Sequence, residues 1–129
     1  MTGERHGPAL GHLRIRLDSG TSLGPGKANL LEAIGETGSI AAAGRRMKMS
    51  YKRAWSLVED LNAAFREPLV ASSRGGSAGG GAALTPTGER VLVAYRAMQA
   101  SAEAAIAAEV AELRGLLAEP GFGDMSDEK

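Results

Sequence analysis

Apolar and polar residues alternate along the first patterned stretch of the chain, His12–Asp18. Leu13, Ile15 and Leu17 share one side of this stretch, and polar or charged residues occupy the other. A period of two residues is typical of a half-buried β-strand. The pattern therefore predicts one short strand, followed by a turn over Gly20–Gly26.

Helical spacing replaces the alternation in the next stretch. The apolar or small residues that carry this pattern are Leu30, Leu31, Ile34, Ile40, Ala42, Ala43 and Met47. They predict a first helix from about Lys27 to Thr37, which Gly38 stops. Ser39 is a favourable N-cap residue for a second, short helix that ends near Met47.

A third helical pattern begins after a short turn, with Ser50 as its N-cap residue and Pro68 as its stop. One face carries apolar residues three or four positions apart, namely Ala54, Val58, Leu61 and Phe65. Two helices joined by a tight turn are typical of a helix-turn-helix, whose second helix enters the DNA major groove with its N-terminal residues. The sequence therefore predicts a DNA-reading helix that begins at Ser50.

The exposed side of this helix carries the candidate DNA contacts. Successive helical residues are rotated by about 100°, which places Lys52, Arg53 and Ser56 opposite the apolar face and near the helix start. These three are candidates for contacts to base edges. Ser50 and Tyr51 lie at the cap, where hydroxyls and free backbone N–H groups favour phosphate oxygens. We expect them to position the helix rather than to read bases.

Trp55 lies at the boundary between the two faces, and two roles remain open for it. Its ring either closes the core against Tyr51, which we favour, or touches a thymine methyl group or a sugar. Glu59 and Asp60 share the exposed side but lie further along, where a straight helix has left the groove. Their charges therefore do not exclude DNA binding.

Two short strands are predicted after the third helix, at Leu69–Ser73 and Ala82–Leu84. A loop with five glycines separates them, so we expect a hairpin that forms the wing beside the helix-turn-helix. The loop residues expected to contact the phosphate backbone or minor groove are Arg74, Gly75, Gly76 and Ser77. The composition of the loop also fits a solvated linker, and only its position after the third helix favours the wing.

A long last helix is predicted from Thr85, an N-cap residue, and Pro86, which suits the first helical position. Its apolar stripe consists of Tyr95, Met98, Ala102, Ile106, Val110, Leu113 and Leu117. The stripe exceeds what a core of this size can cover, which favours a contact between two copies of the chain. Packing of the helix onto its own domain is the alternative.

These elements predict a mainly α fold with a small β-hairpin wing, a winged helix-turn-helix followed by a long C-terminal helix. We expect a flexible N-terminus at 1–11 and the DNA-binding domain at 12–86. The long helix at 87–119 is expected to serve dimerisation, and 120–129 is expected to be an acidic disordered tail.

The charge distribution strengthens the DNA-binding hypothesis, although the net charge is zero, from 15 basic and 15 acidic residues. Residues 1–86 hold 11 basic and 7 acidic side chains, whereas residues 87–129 hold 4 and 8. Within 39–66, six basic residues are opposed only by Glu59 and Asp60. The basic excess therefore coincides with the predicted helix-turn-helix.

Other kinds of site find little support. The sequence has no cysteine, which excludes disulfides and thiolate metal sites, and no apolar run is long enough to span a bilayer. Gly26-Lys27 lacks the neighbours of a phosphate-binding loop, and His6 and His12 have no second ligand at a metal-like interval. We therefore expect a cytoplasmic protein that is not an enzyme and has no cofactor, metal site or membrane partner.

Two strings give the chain a resemblance to a known family. SYKRAW begins at Ser50 and GGSAGGGAALTPTG begins at Gly75, within one colinear match from about Leu13 to Met98. The match resembles the DNA-binding domain of the ModE family of molybdate-responsive transcription regulators, and its helix-turn-helix also resembles that of LysR-type regulators.

The resemblance implies a homodimer on a double-stranded DNA operator with two-fold symmetry. It also implies that Ser50, Tyr51, Lys52, Arg53 and the glycine-rich wing face the DNA. Two features depart from the family: Ser77 and Ala78 stand where a Lys and a Gly are expected, and the stretch after Met98 holds little beyond one helix and a tail. Molybdate binding is therefore not expected within this chain.

A protein-interaction module that uses the last helix, or a small-ligand sensor with a cleft between subunits, remains the alternative. Neither has a residue signature of its own in this sequence.

Overall fold

A computed structural model describes residues 7–73 and 81–118. Short antiparallel hairpins flank a bundle of helices, and the longest helix follows the second hairpin. The elements in chain order are β1 (Ile15–Asp18), β2 (Thr21–Leu23), α1 (Pro25–Thr37), α2 (Ile40–Arg46), α3 (Tyr51–Ala64), β3 (Val70–Ser73), β4 (Gly81–Leu84), α4 (Pro86–Ala105) and α5 (Ala107–Gly115). The predicted winged helix-turn-helix followed by a helix is confirmed.

The core is built from the apolar faces of α1, α2 and α3, the base of the second hairpin, Leu23 of β2 and Tyr95 of α4. Its largest fully buried side chains are Tyr95, Leu30, Leu31, Ile34, Leu61, Leu69 and Val58. Small residues complete the core where backbones approach closely. Aliphatic side chains supply most of the buried surface. Tyr95 also donates a hydrogen bond of 2.6 Å from its hydroxyl to the Leu13 carbonyl oxygen, which satisfies the buried polar atom.

The structure differs from the sequence prediction near the amino end. The predicted strand His12–Asp18 is shorter, at Ile15–Asp18, and it pairs with β2 in a stretch predicted as a turn. Ile15 lies opposite Leu23, and the register shifts between Arg16 and Asp18. A turn at Gly20, held by the Asp18 carboxylate, closes this hairpin.

Local contacts join the second hairpin to α3. The Asn62 amide accepts hydrogen bonds from the N–H groups of Leu69 and Val70, at 2.8 and 3.0 Å, and donates one to the Val70 carbonyl at 3.1 Å. The hairpin register runs from Val70 opposite Leu84 to Ser73 opposite Gly81. The Asn62 side chain therefore holds the start of β3 against the last turn of α3.

Two residues, Thr85 and Gly88, fix the start of α4. Thr85 caps the helix, because its hydroxyl accepts the Gly88 N–H at 2.9 Å. Gly88 packs against the backbone of Leu69 so closely that a Cβ would overlap with the Leu69 carbonyl oxygen. The predicted N-cap at Thr85 is confirmed, and the close approach explains the glycine.

The described residues divide into two compact units, one within 12–99 and one that combines 7–11 with 100–118. In the described part of the second unit, the Glu103 carboxylate accepts the N–H groups of Ala9 and Leu10, at 2.8 and 3.0 Å. The predicted long helix is interrupted at Ile106, whose φ of −100° and ψ of 3° separate α4 from α5. None of the described helices has the length and apolar character needed to cross a membrane.

Candidate nucleic-acid interface

The turn between α2 and α3 is formed by Met47, Lys48 and Met49. The Met49 N–H reaches back to the Gly44 carbonyl at 2.9 Å, and the Lys48 N–H to Arg45 at 3.0 Å. Lys48 adopts a φ of +60°, the left-handed conformation that usually falls to glycine at a helix end. This Schellman-type ending turns the chain sharply and brings α3 against α2.

Small residues let the two helices pack closely. A Cβ on Gly44 would lie 3.2 Å from the Cβ of Ala54, so a larger residue at either position would force the helices apart. Gly44 and Ala54 are both buried. The angle of α3, and with it the direction of its exposed face, therefore depends on this contact.

Ser50 caps α3 as predicted. Its side-chain oxygen accepts the Arg53 N–H at 3.0 Å, which satisfies one of the free N–H groups at the helix start. The hydroxyl hydrogen is not used in that bond, so Ser50 can still donate to an acceptor on the solvent side. The cap thus orients the first turn and leaves a donor on the exposed face.

The structure separates the faces of α3 as the spacing predicts. Ala54, Val58 and Leu61 are buried, at 0–2% exposure. The candidate contact residues Ser50, Tyr51, Lys52, Arg53 and Ser56 are all exposed. The cap and the first two turns of α3 therefore present two cations and three hydroxyl groups to solvent, which are the groups that bind phosphate oxygens and base edges.

Trp55 lies half-buried against the core, between the two faces. Its ring meets the Tyr51 ring edge-on, with centroids 6.2 Å apart and planes at 78°. Such a pair adds to the area that each ring buries. The packing agrees with the core role that we favoured for Trp55, and it also fixes the direction of the exposed Tyr51 side chain.

The base of the predicted wing is anchored beside α1. The Ala82 N–H donates to the Gly38 carbonyl at 2.9 Å, and Gly38 ends α1 with a φ of +74°. The candidate loop residues Arg74, Gly75, Gly76 and Ser77 lie outside the described residues. β3 and β4 place the two ends of that loop on one side of the domain, next to each other.

Sequence reasoning missed a group of basic residues from the segment before β1 and from α1. His12, Arg14 and Lys27 line an open groove that Arg53 of α3 also borders. The alternation in the first strand placed His12 and Arg14 on its polar side. No local pattern linked that side to the start of α3, because the groove joins residues about 40 positions apart in the chain.

The fold and the exposed first turn of α3 define a winged helix-turn-helix domain of the DNA-binding class. The family described as bacterial regulatory helix-turn-helix protein, lysR family, matches residues 27–89. This match runs from the first turn of α1 to the first turn of α4, so it includes the helix-turn-helix and both strands of the second hairpin. This segment is similar to the LysR-type family of regulatory helix-turn-helix proteins.

Curated relatives extend the match. The molybdenum-pterin-binding protein MopB of Rhodobacter capsulatus is 48% identical over 82 residues, which cover 64% of this chain and 30% of MopB. The molybdenum transport protein ModE of Azotobacter vinelandii is 38% identical over 97 residues, 75% of this chain and 36% of that protein. The DNA-binding transcriptional dual regulator ModE of Escherichia coli K12 is 34% identical over 83 residues, 64% and 32%.

The chain spans about a third of the length of these relatives. Their similarity supports the resemblance to the ModE family. What the complete relatives bind or regulate is a property of those proteins.

Proposed function

We propose that this chain is a sequence-specific transcription regulator that binds a palindromic operator as a homodimer. The observation that carries the proposal is the first turn of α3. It presents Lys52 and Arg53 opposite a fully buried apolar face, within a segment that matches a regulatory helix-turn-helix family. Binding, rather than catalysis, accounts for this arrangement, and binding to a chromosome requires a cytoplasmic location.

Within this proposal, the exposed residues of α3 divide into two roles. Ser50 and Tyr51 hold phosphate oxygens and fix the depth at which the helix enters the groove. Lys52, Arg53 and Ser56 reach the base edges, where Arg or Lys pairs with the O6 and N7 of guanine. Arg74, Gly75, Gly76 and Ser77 contact the backbone or the minor groove from the wing.

Exposed leucines near the end of α5 support the homodimer. Leu113, Leu116 and Leu117 are 62%, 75% and 64% exposed, and the last two follow Leu113 by three and four positions, just past the end of α5. Exposed apolar side chains grouped in this way mark contact surfaces. A homodimer suits an operator with two-fold symmetry, because each copy then presents its α3 to one half-site.

The dimer is tested by sedimentation of the wild type and of Leu113→Glu. We expect a dimer for the wild type and a monomer for the variant, because burial of a carboxylate in an apolar interface is costly. Glu112→Gln, which changes a neighbouring exposed residue on the polar face, serves as the control and stays dimeric. A wild type that remains monomeric at all concentrations contradicts this part of the proposal, and its apolar face then fits another partner.

We further propose that the regulated genes serve molybdenum transport or metabolism, as the names of the relatives suggest. Molybdate itself is not bound in this chain. Equilibrium dialysis with molybdate tests this directly, and we expect no retention above that of sulfate.

Genomic selection tests the function as a whole. Fragmented DNA is bound to the purified protein, recovered and sequenced, with and without molybdate. We expect enrichment of a motif with two-fold symmetry near genes for molybdenum uptake or use. Recovery of DNA with no shared motif would contradict sequence-specific binding.

A further inference from the structure

A groove beside the start of α3 is lined by basic residues from three separate elements. Arg14 precedes β1, Lys27 lies in the first turn of α1, and Arg53 lies in the first turn of α3. His12 lines the same groove. No residue lining it is acidic. The groove is therefore a concentration of positive charge in a chain whose net charge is zero.

Local packing brings these side chains together. A Cβ on Gly24 would lie 3.8 Å from Cγ of Arg14 and 3.9 Å from Nε2 of His12, so both side chains extend over Gly24. Lys27 is held from the other side, because its ammonium group donates to the Ser22 carbonyl at 3.1 Å. One hydrogen bond leaves two of its three N–H donors for a ligand.

The groove is continuous with the proposed DNA-reading surface, because Arg53 belongs to both. A helix that enters the major groove brings the protein surface beside it close to the sugar-phosphate backbone. A groove of cations at that place, without a carboxylate to oppose it, suits the phosphodiester groups of that backbone.

We propose that the groove formed by Arg14, Lys27 and Arg53 binds DNA backbone phosphates next to the half-site that α3 reads. This inference rests on the proposed function and adds a second, sequence-independent contact to it. Arg14 and Lys27 then contribute affinity without base preference, whereas Lys52 and Arg53 contribute both.

The first test uses the double variant Arg14→Gln/Lys27→Gln, which removes two charges and keeps polar side chains of similar length. Each phosphate contact adds about 0.9 to the steepness with which log affinity falls against log salt. At physiological salt, one such contact therefore raises the affinity about fivefold over its value at about 1 M salt. We therefore expect a salt slope lower by about 2 and affinity lower by roughly 10- to 30-fold at physiological salt. The probe is a short duplex of random sequence, and fluorescence anisotropy reports binding.

Arg90→Gln is the matched control, because it removes an exposed cation of α4 that does not line the groove. We expect its salt slope and affinity to equal those of the wild type. A double variant whose slope also equals that of the wild type overturns the inference. If the double variant loses affinity for one selected operator only, its residues read bases and the inference is wrong.

A second test inserts a negative charge without damaging the fold. Gly26 also lines the groove, and a Cβ there meets open space. Gly26→Glu and Gly26→Gln both replace a helical glycine, and the Glu also interacts favourably with the helix start. We expect both to raise the midpoint of thermal unfolding, with Glu at least equal to Gln.

DNA affinity separates these two variants. We expect Gly26→Glu to bind the random duplex about 3- to 10-fold more weakly than Gly26→Gln, since only the Glu repels a phosphate a few ångströms away. Equal affinities of the two variants overturn the inference. Competition by inorganic phosphate at low millimolar concentration would also overturn it, because the groove would then be a site for a free anion.

Failure of the inference and failure of the proposed function give different results. If the protein binds no DNA, the proposed function fails. If the protein binds DNA, and Lys52→Ala weakens that binding while the groove variants leave it unchanged, only the groove assignment is wrong.

Discussion

Asn62 offers a direct test of how the hairpin is joined to the reading helix. Its amide makes three hydrogen bonds to the backbone of Leu69 and Val70, both of which are buried. A hydrogen bond contributes about 1 kcal/mol net, and an abandoned buried partner costs about 1–3 kcal/mol. Asn62 itself is half-buried, so water can reach part of the site after truncation. We therefore expect Asn62→Ala to lower the free energy of unfolding by about 2–4 kcal/mol.

Urea denaturation followed by Trp55 fluorescence measures this change, since the single tryptophan packs against the core. Asn29→Ala is the matched control. Asn29 is exposed and accepts one hydrogen bond, from Arg96, so its loss costs less than about 0.5 kcal/mol. The reasoning is refuted if Asn62→Ala is as stable as Asn29→Ala with an unchanged denaturant slope.

Three further changes test particular contacts. Lys48→Gly relieves a left-handed backbone that costs a lysine about 1–2 kcal/mol, against about 0.5–1 kcal/mol of glycine entropy, so calorimetry should show a gain of up to about 1 kcal/mol; Lys48→Ala should show none. Gly88→Ala forces a Cβ into the Leu69 carbonyl and should cost more than about 2 kcal/mol by urea denaturation, and a neutral result would contradict the close approach. Burial raises the pKa of Tyr95, so the folded state holds the phenol proton more tightly than the unfolded state does. The stability that this contributes is complete below about pH 10 and is lost as the pH rises through the raised pKa. Tyr95→Phe should be less stable at neutral pH, from loss of the bond to Leu13, and should show a flatter alkaline decline; parallel pH profiles would contradict this.

The elements that the sequence predicted best are those whose signals are local. Ser39, Ser50 and Thr85 each accept the backbone N–H three residues ahead, so a cap is visible in a short window of sequence. The faces of α3 were equally predictable, because the rotation per residue is a property of any α-helix. The candidate contacts on its first turn were therefore placed correctly on the exposed side.

The features that escaped prediction depend on distant partners or on small backbone changes. β2 carries too few residues for a period to be recognised, and it is defined by pairing with β1. The interruption at Ile106 has neither proline nor glycine beside it, so the apolar stripe continues through it unchanged. The basic groove exists only after the fold brings Arg14 and Lys27 beside Arg53, and no sequence window contains all three.

The central claim is that the first turn of α3 reads bases, and selection from a random DNA library tests it most directly. The base preferences of the wild type are compared with those of Lys52→Ala and Arg53→Ala, with Arg90→Ala as the control. We expect a two-fold symmetric preference in the wild type. Each α3 variant should lose about 1–3 kcal/mol of discrimination at its own base pairs, while the control keeps the full preference. Unchanged base preferences in both α3 variants would contradict it.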